Sequence, residues 1–264
     1  MERDQRSPVI ALTDDTWLLV LTGAGVSAES GIPTFRASDG LWENHPVDKV
    51  ATLPGFRADP ALVWRFYSER RAHAKRCSPN PGHLTLAAVE RQLGDRFLLA
   101  TQNVDGLHRK AGSQRIVEMH GSLWLTRCSD CNRPPFADEA EYLDGTVPGC
   151  KVCGTSGRPA LLRPHIVWFG EMLDPDDLQR IDDFAQTASR GRFVFLAVGT
   201  SGVVYPAAGL VRVAARLGAE TWLANAEPPE NASLFRSFLQ GKSGEILPRL
   251  FSLDGNPLGC AGLP

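Results

Sequence analysis

The chain has 264 residues, 43% of them hydrophobic and 22% charged, which suits a globular protein with a sizeable core. Thirty acidic against 28 basic side chains give a net charge of −2, which argues against the basic surface of a general nucleic-acid binder. No run reaches the roughly 18 apolar residues of a membrane span, and Met1-Glu2-Arg3-Asp4-Gln5-Arg6 lacks the apolar core of a signal peptide, so a cytoplasmic protein off the membrane is expected.

In chain order, residues 1–16 read as a polar lead-in. Trp17-Leu18-Leu19-Val20-Leu21 reads as a short buried strand. Gly23, Gly25 and Ala28 follow at the G-x-G-x-x-G/A spacing of dinucleotide turns. Without a Cβ the backbone can approach a ligand, and a helix N-terminus there favours phosphate. The spacing alone equally describes an ordinary Gly-rich turn. Gly31 and Pro33 cut the next helix short, and Phe35-Arg36 lead into a polar loop.

One short helix is expected from Pro46 to about Thr52, and a clearer one from Asp59-Pro60 to Arg76. Arg65, Arg70, Arg71, Lys75 and Arg76 crowd the later turns of the second. Asn80-Pro81 caps another helix. Arg96–Thr101 reads as a strand followed by Gln102-Asn103-Val104-Asp105. Ile116–Gly121 reads as a third strand, ending in His120. Residues from about 122 to 163 are rich in Cys, Pro and Gly and read as an inserted module. Leu161–Gly170 is extended, and Asp174-Pro175 opens a helix to about Ser189. Strands 193–198 and 221–224 flank a helix from Pro206 to Leu217, and a last helix is expected over 231–239.

Alternating strands and helices predict an α/β fold: a Rossmann-like, mostly parallel sheet with helices on both faces. Ligands bind outside the carboxyl ends of such strands. Gly23–Ser27, Gln102–Asp105, Gly199–Ser201 and Asn225–Glu227 all sit at those ends. A single unit is expected over 1–264. Its sheet domain covers about 10–45, 80–121 and 164–252. Its small domain combines a helical insertion, about 46–79, with the cysteine module, about 122–163.

Cys128-x2-Cys131 and Cys150-x2-Cys153 enclose 18 intervening residues. Two such knuckles suit one tetrahedral, structural zinc with no open position. Two disulfides or free thiols are the competing reading. The acidic residues Asp130, Asp138, Glu139, Glu141 and Asp144 around the knuckles do not suit nucleic acid. Cys77, in a polar loop, and Cys260, in the tail, look incidental.

Gly23–Arg36, Thr101–His108, Glu118-Met119-His120-Gly121, the four cysteines and Gly199-Thr200-Ser201 strongly resemble the sirtuins, NAD-dependent protein-lysine deacylases. The resemblance runs from about Leu18 to Leu250 with every motif in family order. It implies NAD as a consumed co-substrate, one structural zinc, acylated-lysine proteins or peptides as substrates, and a monomer. Gly23, Ala24, Gly25, Ser27, Phe35 and Arg36 would line the cofactor pocket. Gln102, Asn103 and Asp105 would surround the nicotinamide ribose. Gly199, Thr200, Ser201 and Asn225 would contact the adenosine half, with Lys242 and Ser243 bracketing the adenine. Asn103 and His120 would be catalytic, His120 as the base that takes a proton from a ribose hydroxyl. A lone histidine would otherwise read as a satisfied core residue. Val167, Trp168, Phe169 and Gly170, with Glu171, resemble the strand that pairs with substrate backbone. The products implied are free lysine, nicotinamide and O-acyl-ADP-ribose.

Tyr67 and Arg70 stand three apart, on one helical face. The pair resembles that of the desuccinylase-type sirtuins, which grips the carboxylate of succinyl- or malonyl-lysine. Ala51 matches the small residue that admits the longer acyl chain. The competing reading makes Tyr67 core and Arg70 part of a solvated basic face. An acetyl-preferring deacetylase, a mono-ADP-ribosyltransferase, an ordinary NAD dehydrogenase and a non-enzymatic zinc-bearing binding module are the rival functions.

Overall fold

Strand Thr16–Thr22 lies inside a six-stranded sheet in a computed structural model that describes residues 9–34, 41–42, 45–154, 160–253 and 256–257. The sheet runs in the order Ser237–Gln240, Glu220–Asn225, Arg192–Val198, Thr16–Thr22, Phe97–Thr101, Ile116–Glu118, with every neighbouring pair parallel. Parallel strands need crossovers, and those crossovers place helices on the two faces. Alternation along the central strand assigns the layers. Leu18 and Val20 pack with Leu86, Val89 and Leu93 of helix Pro81–Leu93 and with Leu247 and Leu250. Leu19 and Leu21 pack on the opposite face with Ile181, Phe184 and Ala188 of helix Pro175–Ala188.

The chain leaves Thr16–Thr22 toward one side of the sheet and later returns to add strands on the other. That reversal of strand order falls between Thr16–Thr22 and Arg192–Val198. Their carboxyl ends therefore open a crevice of the kind that binds ligands in open α/β sheets.

A third core joins the helices around residues 47–76 to the cysteine module. Val50, Val63, Trp64, Phe66 and Tyr67 pack there with Cys128, Cys150, Leu162 and Trp168. Helix Pro60–Arg76 starts as its sequence implies, with the Asp59 carboxylate accepting the Leu62 N–H at 2.9 Å and Pro60 in the first turn. Arg71 is fully buried and fastens this helix to the module. Its guanidinium donates to Leu123 O, Ala140 O, the Asp138 carboxylate and the Thr126 hydroxyl, at 2.6, 2.7, 3.2 and 3.1 Å.

Several local expectations change. The lead-in contains a strand, Ile10–Leu12, paired in parallel with Phe251–Leu253. The strand expected to end at His120 ends at Glu118. His120 sits in a turn, and a new strand runs Gly121–Cys128. The helix expected over 231–239 is instead a 3-10 turn, Ala232–Leu234, and the edge strand Ser237–Gln240. A helix forms later, at Ser243–Leu250, where Glu29 accepts the Gly244 N–H at 2.7 Å. The start of that helix is thus held by a carboxylate 215 positions earlier in the chain rather than by a cap in its own sequence. Cys77 does sit in the loop after helix Pro60–Arg76, with its side chain buried. Phe35, Arg36 and Cys260 lie outside the described residues.

Candidate active site

The glycine turn is built against a second strand end. Gly23 N–H donates to Val198 O at 3.0 Å, and Gly25 N–H to Gly199 O at 2.8 Å. A Cβ on Gly25 would fall 2.7 Å from Gly199 Cα. Gly199 itself has φ +61, and a Cβ there would collide with Val26 N. Two backbones thus touch where a side chain would fill the crevice. Ala24–Ser30 forms a 3-10 helix, and Gly31, at φ 90, ends it as the sequence implies.

Behind the turn lies a buried polar cluster. The Ser27 hydroxyl donates to the Asp105 carboxylate at 2.8 Å and accepts from Asn103 Nδ2 at 3.1 Å. His83 Nε2 lies 3.3 Å from it. His83 Nδ1 accepts the Asn80 N–H at 3.3 Å, so the ring proton is on Nε2 and points to Ser27. The serine hydroxyl is then saturated, giving one hydrogen bond and receiving two. Burial pushes the His83 pKa down to about 4, so the ring is neutral at pH 7. Asp105 is also anchored by the Leu107 N–H at 2.8 Å. Burial raises its pKa, and the bonds from Leu107 and Ser27 oppose that rise. Asn103 and Asp105 therefore both bond inward, to Ser27.

Gln102 reaches across the crevice, with Nε2 3.2 Å from the Thr200 hydroxyl. Asn225 Nδ2 donates to Thr200 O at 3.0 Å. Ser243 Oγ lies 3.2 Å from Val26 O and 3.1 Å from the Glu29 carboxylate. Ser201 is exposed at the rim.

His120 projects from the turn beyond the sheet edge. Its Nδ1 lies 3.0 Å from Gln102 O. A carbonyl only accepts, so Nδ1 carries the proton and Nε2 keeps its lone pair. Burial lowers the His120 pKa, partly offset by the Gln102 hydrogen bond. A neutral imidazole with a basic Nε2 can take a proton at pH 7. His120 O also accepts the Val167 N–H at 2.9 Å, tying the next segment to this turn.

A model of the Sir2 family matches residues 23–206. The chain belongs to the Sir2 family. An NAD-dependent protein deacylase of Pasteurella multocida is 47% identical over 239 residues, covering 90% of this chain and 97% of that protein. A solved complex of a Sir2 homologue with NAD has a TM-score of 0.77 at 40% identity, covering 87% of this chain and 86% of that one. A Sir2 complex with a p53 peptide and NAD has a TM-score of 0.73 at 30% identity, covering 88% and 90%. This sirtuin is an NAD-dependent protein deacylase acting on acylated proteins.

The sirtuin's four cysteine sulfurs lie within 4.8 Å of one another. Cys128 and Cys153 stand 3.5 Å apart, and Cys131 and Cys150 4.0 Å apart. Zn–S bonds of about 2.3 Å would set tetrahedral edges of about 3.8 Å, so the set fits one structural zinc. The Asp130 and Cys131 N–H groups point at Cys128 Sγ from 3.3 and 3.4 Å. Because Cys128 and Cys150 belong to the third core, the metal and the helix carrying Tyr67 share one packing unit. Chelation should therefore remove one zinc per chain by native mass spectrometry and abolish deacylation. Structural zinc sites are worth on the order of 10 kcal/mol in isolated modules, so the thermal transition should lose its cooperativity. An apoprotein with full activity would contradict this role.

No helix among the described residues is long and apolar enough to cross a membrane. Ala51 and Tyr67 both belong to the third core. Tyr67 is fully buried and Arg70 only 7% exposed, which removes the solvated-face reading of Arg70. The Ala51 carbonyl accepts the Phe169 N–H at 3.0 Å, joining the helical insertion to the segment after strand Leu162–Ile166. Within Val167–Gly170 only Phe169 makes a strand-type bridge among the described residues, to Thr52, and regular strand ends at Ile166. Trp168 is buried, with its ring turned inward. Sequence reasoning gave no role to His83, Glu29 or Arg163. Only His83 had a local signal, three residues after the Asn80 cap, where it completes a capping box.

Proposed function

We propose that this sirtuin removes succinyl and malonyl groups from protein lysines, and acetyl groups weakly. The observation that carries this is a buried arginine beside a buried tyrosine. Arg70 Nη1 donates to Phe66 O at 2.7 Å, and its guanidinium carbon lies 3.1 Å from the Phe66 ring centroid. Burial raises the Tyr67 pKa well above its usual value, so the hydroxyl stays protonated and able to donate. A neutral hydroxyl and a guanidinium fork together suit a carboxylate and gain nothing from a methyl. Ala51 leaves room for the longer chain.

NAD, when bound, supplies an electrophilic ribose carbon with nicotinamide as leaving group. Gly23, Ala24 and Gly25 would hold it at the glycine turn, with Ser27 behind them tying Asn103 and Asp105 together, and Phe35 and Arg36 would belong to the same pocket by the family resemblance. Gln102, Asn103 and Asp105 would line the nicotinamide-ribose side, the last two held in place by Ser27, and Gly199, Thr200, Ser201, Asn225 and Ser243 would line the adenosine half. Asn103 orients the reacting groups, and His120 Nε2 takes the proton that activates the attacking oxygen. Val167, Trp168, Phe169 and Gly170 present backbone to the substrate peptide. The sheet domain and the zinc-bearing small domain act as one catalytic unit, a cytoplasmic monomer.

Mass spectrometry of succinyl-, malonyl- and acetyl-lysine peptides, with and without NAD, tests this reading. Succinyl and malonyl peptides should lose their acyl groups at least about tenfold faster than acetyl, the ratio that about 1.4 kcal/mol of charge-assisted contact supplies. Faster loss of acetyl would replace it with the deacetylase reading. ADP-ribose retained on protein would replace it with the transferase reading.

A further inference from the structure

Trp168 is fixed in both ring and backbone by an Arg163–Glu171 pair, which Arg127 Nη2 joins at 3.2 Å from Glu171 Oε1. Arg163, on strand Leu162–Ile166, is 3% exposed. Its Nη1 and Nη2 reach the two Glu171 oxygens at 2.6 and 2.8 Å, a two-point grip. The guanidinium carbon lies 3.4 Å from the Trp168 ring centroid, close enough for a strong cation–π contact. Glu171 Oε2 also accepts the Trp168 N–H at 2.9 Å. Arg163 Nη2 adds a bond to Ile166 O at 2.9 Å. From the position so fixed, the indole Nε1–H donates to Tyr67 Oη at 2.9 Å.

The consequence concerns the direction of the tyrosine hydroxyl. An indole N–H only donates, so the Tyr67 oxygen accepts on that side. Its own O–H must then be directed away from Trp168. We infer that Arg163 is a positioning residue for acyl-group selection, acting through Trp168 to orient the Tyr67 hydroxyl as a donor toward the acyl carboxylate. The inference rests on the succinyl reading above and adds its control element. A lysine in place of Arg163 would keep the charge but lose both the planar stack and the fork.

The test compares Arg163→Lys and Trp168→Phe with the parent enzyme on succinyl- and acetyl-lysine peptides. Each variant should lower the succinyl-to-acetyl ratio of kcat/KM about three- to tenfold, the worth of one oriented hydrogen bond. The change should appear in KM for the succinyl peptide. In a Tyr67→Phe background Arg163→Lys should leave the ratio where Tyr67→Phe alone puts it, because the hydroxyl that it orients is gone. A structural role alone would add in that background. If both variants lose the two activities equally, or leave the ratio unchanged, the inference is overturned and the succinyl reading stands. If the parent removes no succinyl group, that reading fails and takes the inference with it.

Discussion

Replacing His120 with alanine should lower deacylation about 10²- to 10⁴-fold, the usual contribution of a positioned base, with NAD binding retained. Gln102 O fixes the proton on Nδ1, so the side chain presents a lone pair on Nε2 and can act as a base without changing tautomer. Burial lowers its pKa, which keeps the ring neutral at pH 7. Activity depends on the neutral ring, so kcat/KM should be flat near neutrality and fall as pH drops through a value below the ordinary imidazole pKa of about 6.5. The alanine variant should lack that acid limb. The proposed nucleotide contacts come from other strand ends, so NAD affinity, read by calorimetry, should change little. A variant that keeps its acyl-transfer rate, or an acid limb above the ordinary imidazole value, would remove His120 from the base role.

What the sequence revealed divides by range. Continuous apolar runs such as Leu18–Leu21 and Phe193–Val198 carry their own evidence of burial, and the sheet follows from them. The Asp59, Asn80 and Asp174 caps were legible because a cap acts over two or three residues. The N-terminus of helix Ser243–Leu250 was not, because Glu29, which accepts its Gly244 N–H, is 215 positions away. Edge strand Ser237–Gln240 alternates half-buried and exposed residues, and its register comes from its neighbour rather than its composition. The site shows the same split. Glycine spacing, four cysteines and the Tyr67–Arg70 pair are local patterns. The Ser27–His83 contact and the Arg163 clamp on Trp168 join residues whose proximity only the fold creates.

Arg70→Met should abolish desuccinylation while leaving weak deacetylation. Methionine keeps much of the aliphatic bulk over Phe66 but removes every N–H donor and the charge. Hydrogen bonds to charged groups contribute about 1.5–3 kcal/mol each. Two from one fork would cost kcat/KM on the order of 10²- to 10⁴-fold for a succinyl peptide. An acetyl group has no carboxylate to lose, so its turnover should fall only through repacking of the third core. Arg70→Lys separates charge from shape. A lysine retains attraction but cannot form two parallel bonds, so its succinyl activity should lie between parent and Arg70→Met. Thermal unfolding of both variants gives the control, since Arg70 also bonds Phe66 O. If Arg70→Met loses both activities equally with its fold intact, the arginine supports the helix and does not select the acyl group. If the succinyl rate alone collapses and lysine restores part of it, the guanidinium reads the carboxylate directly.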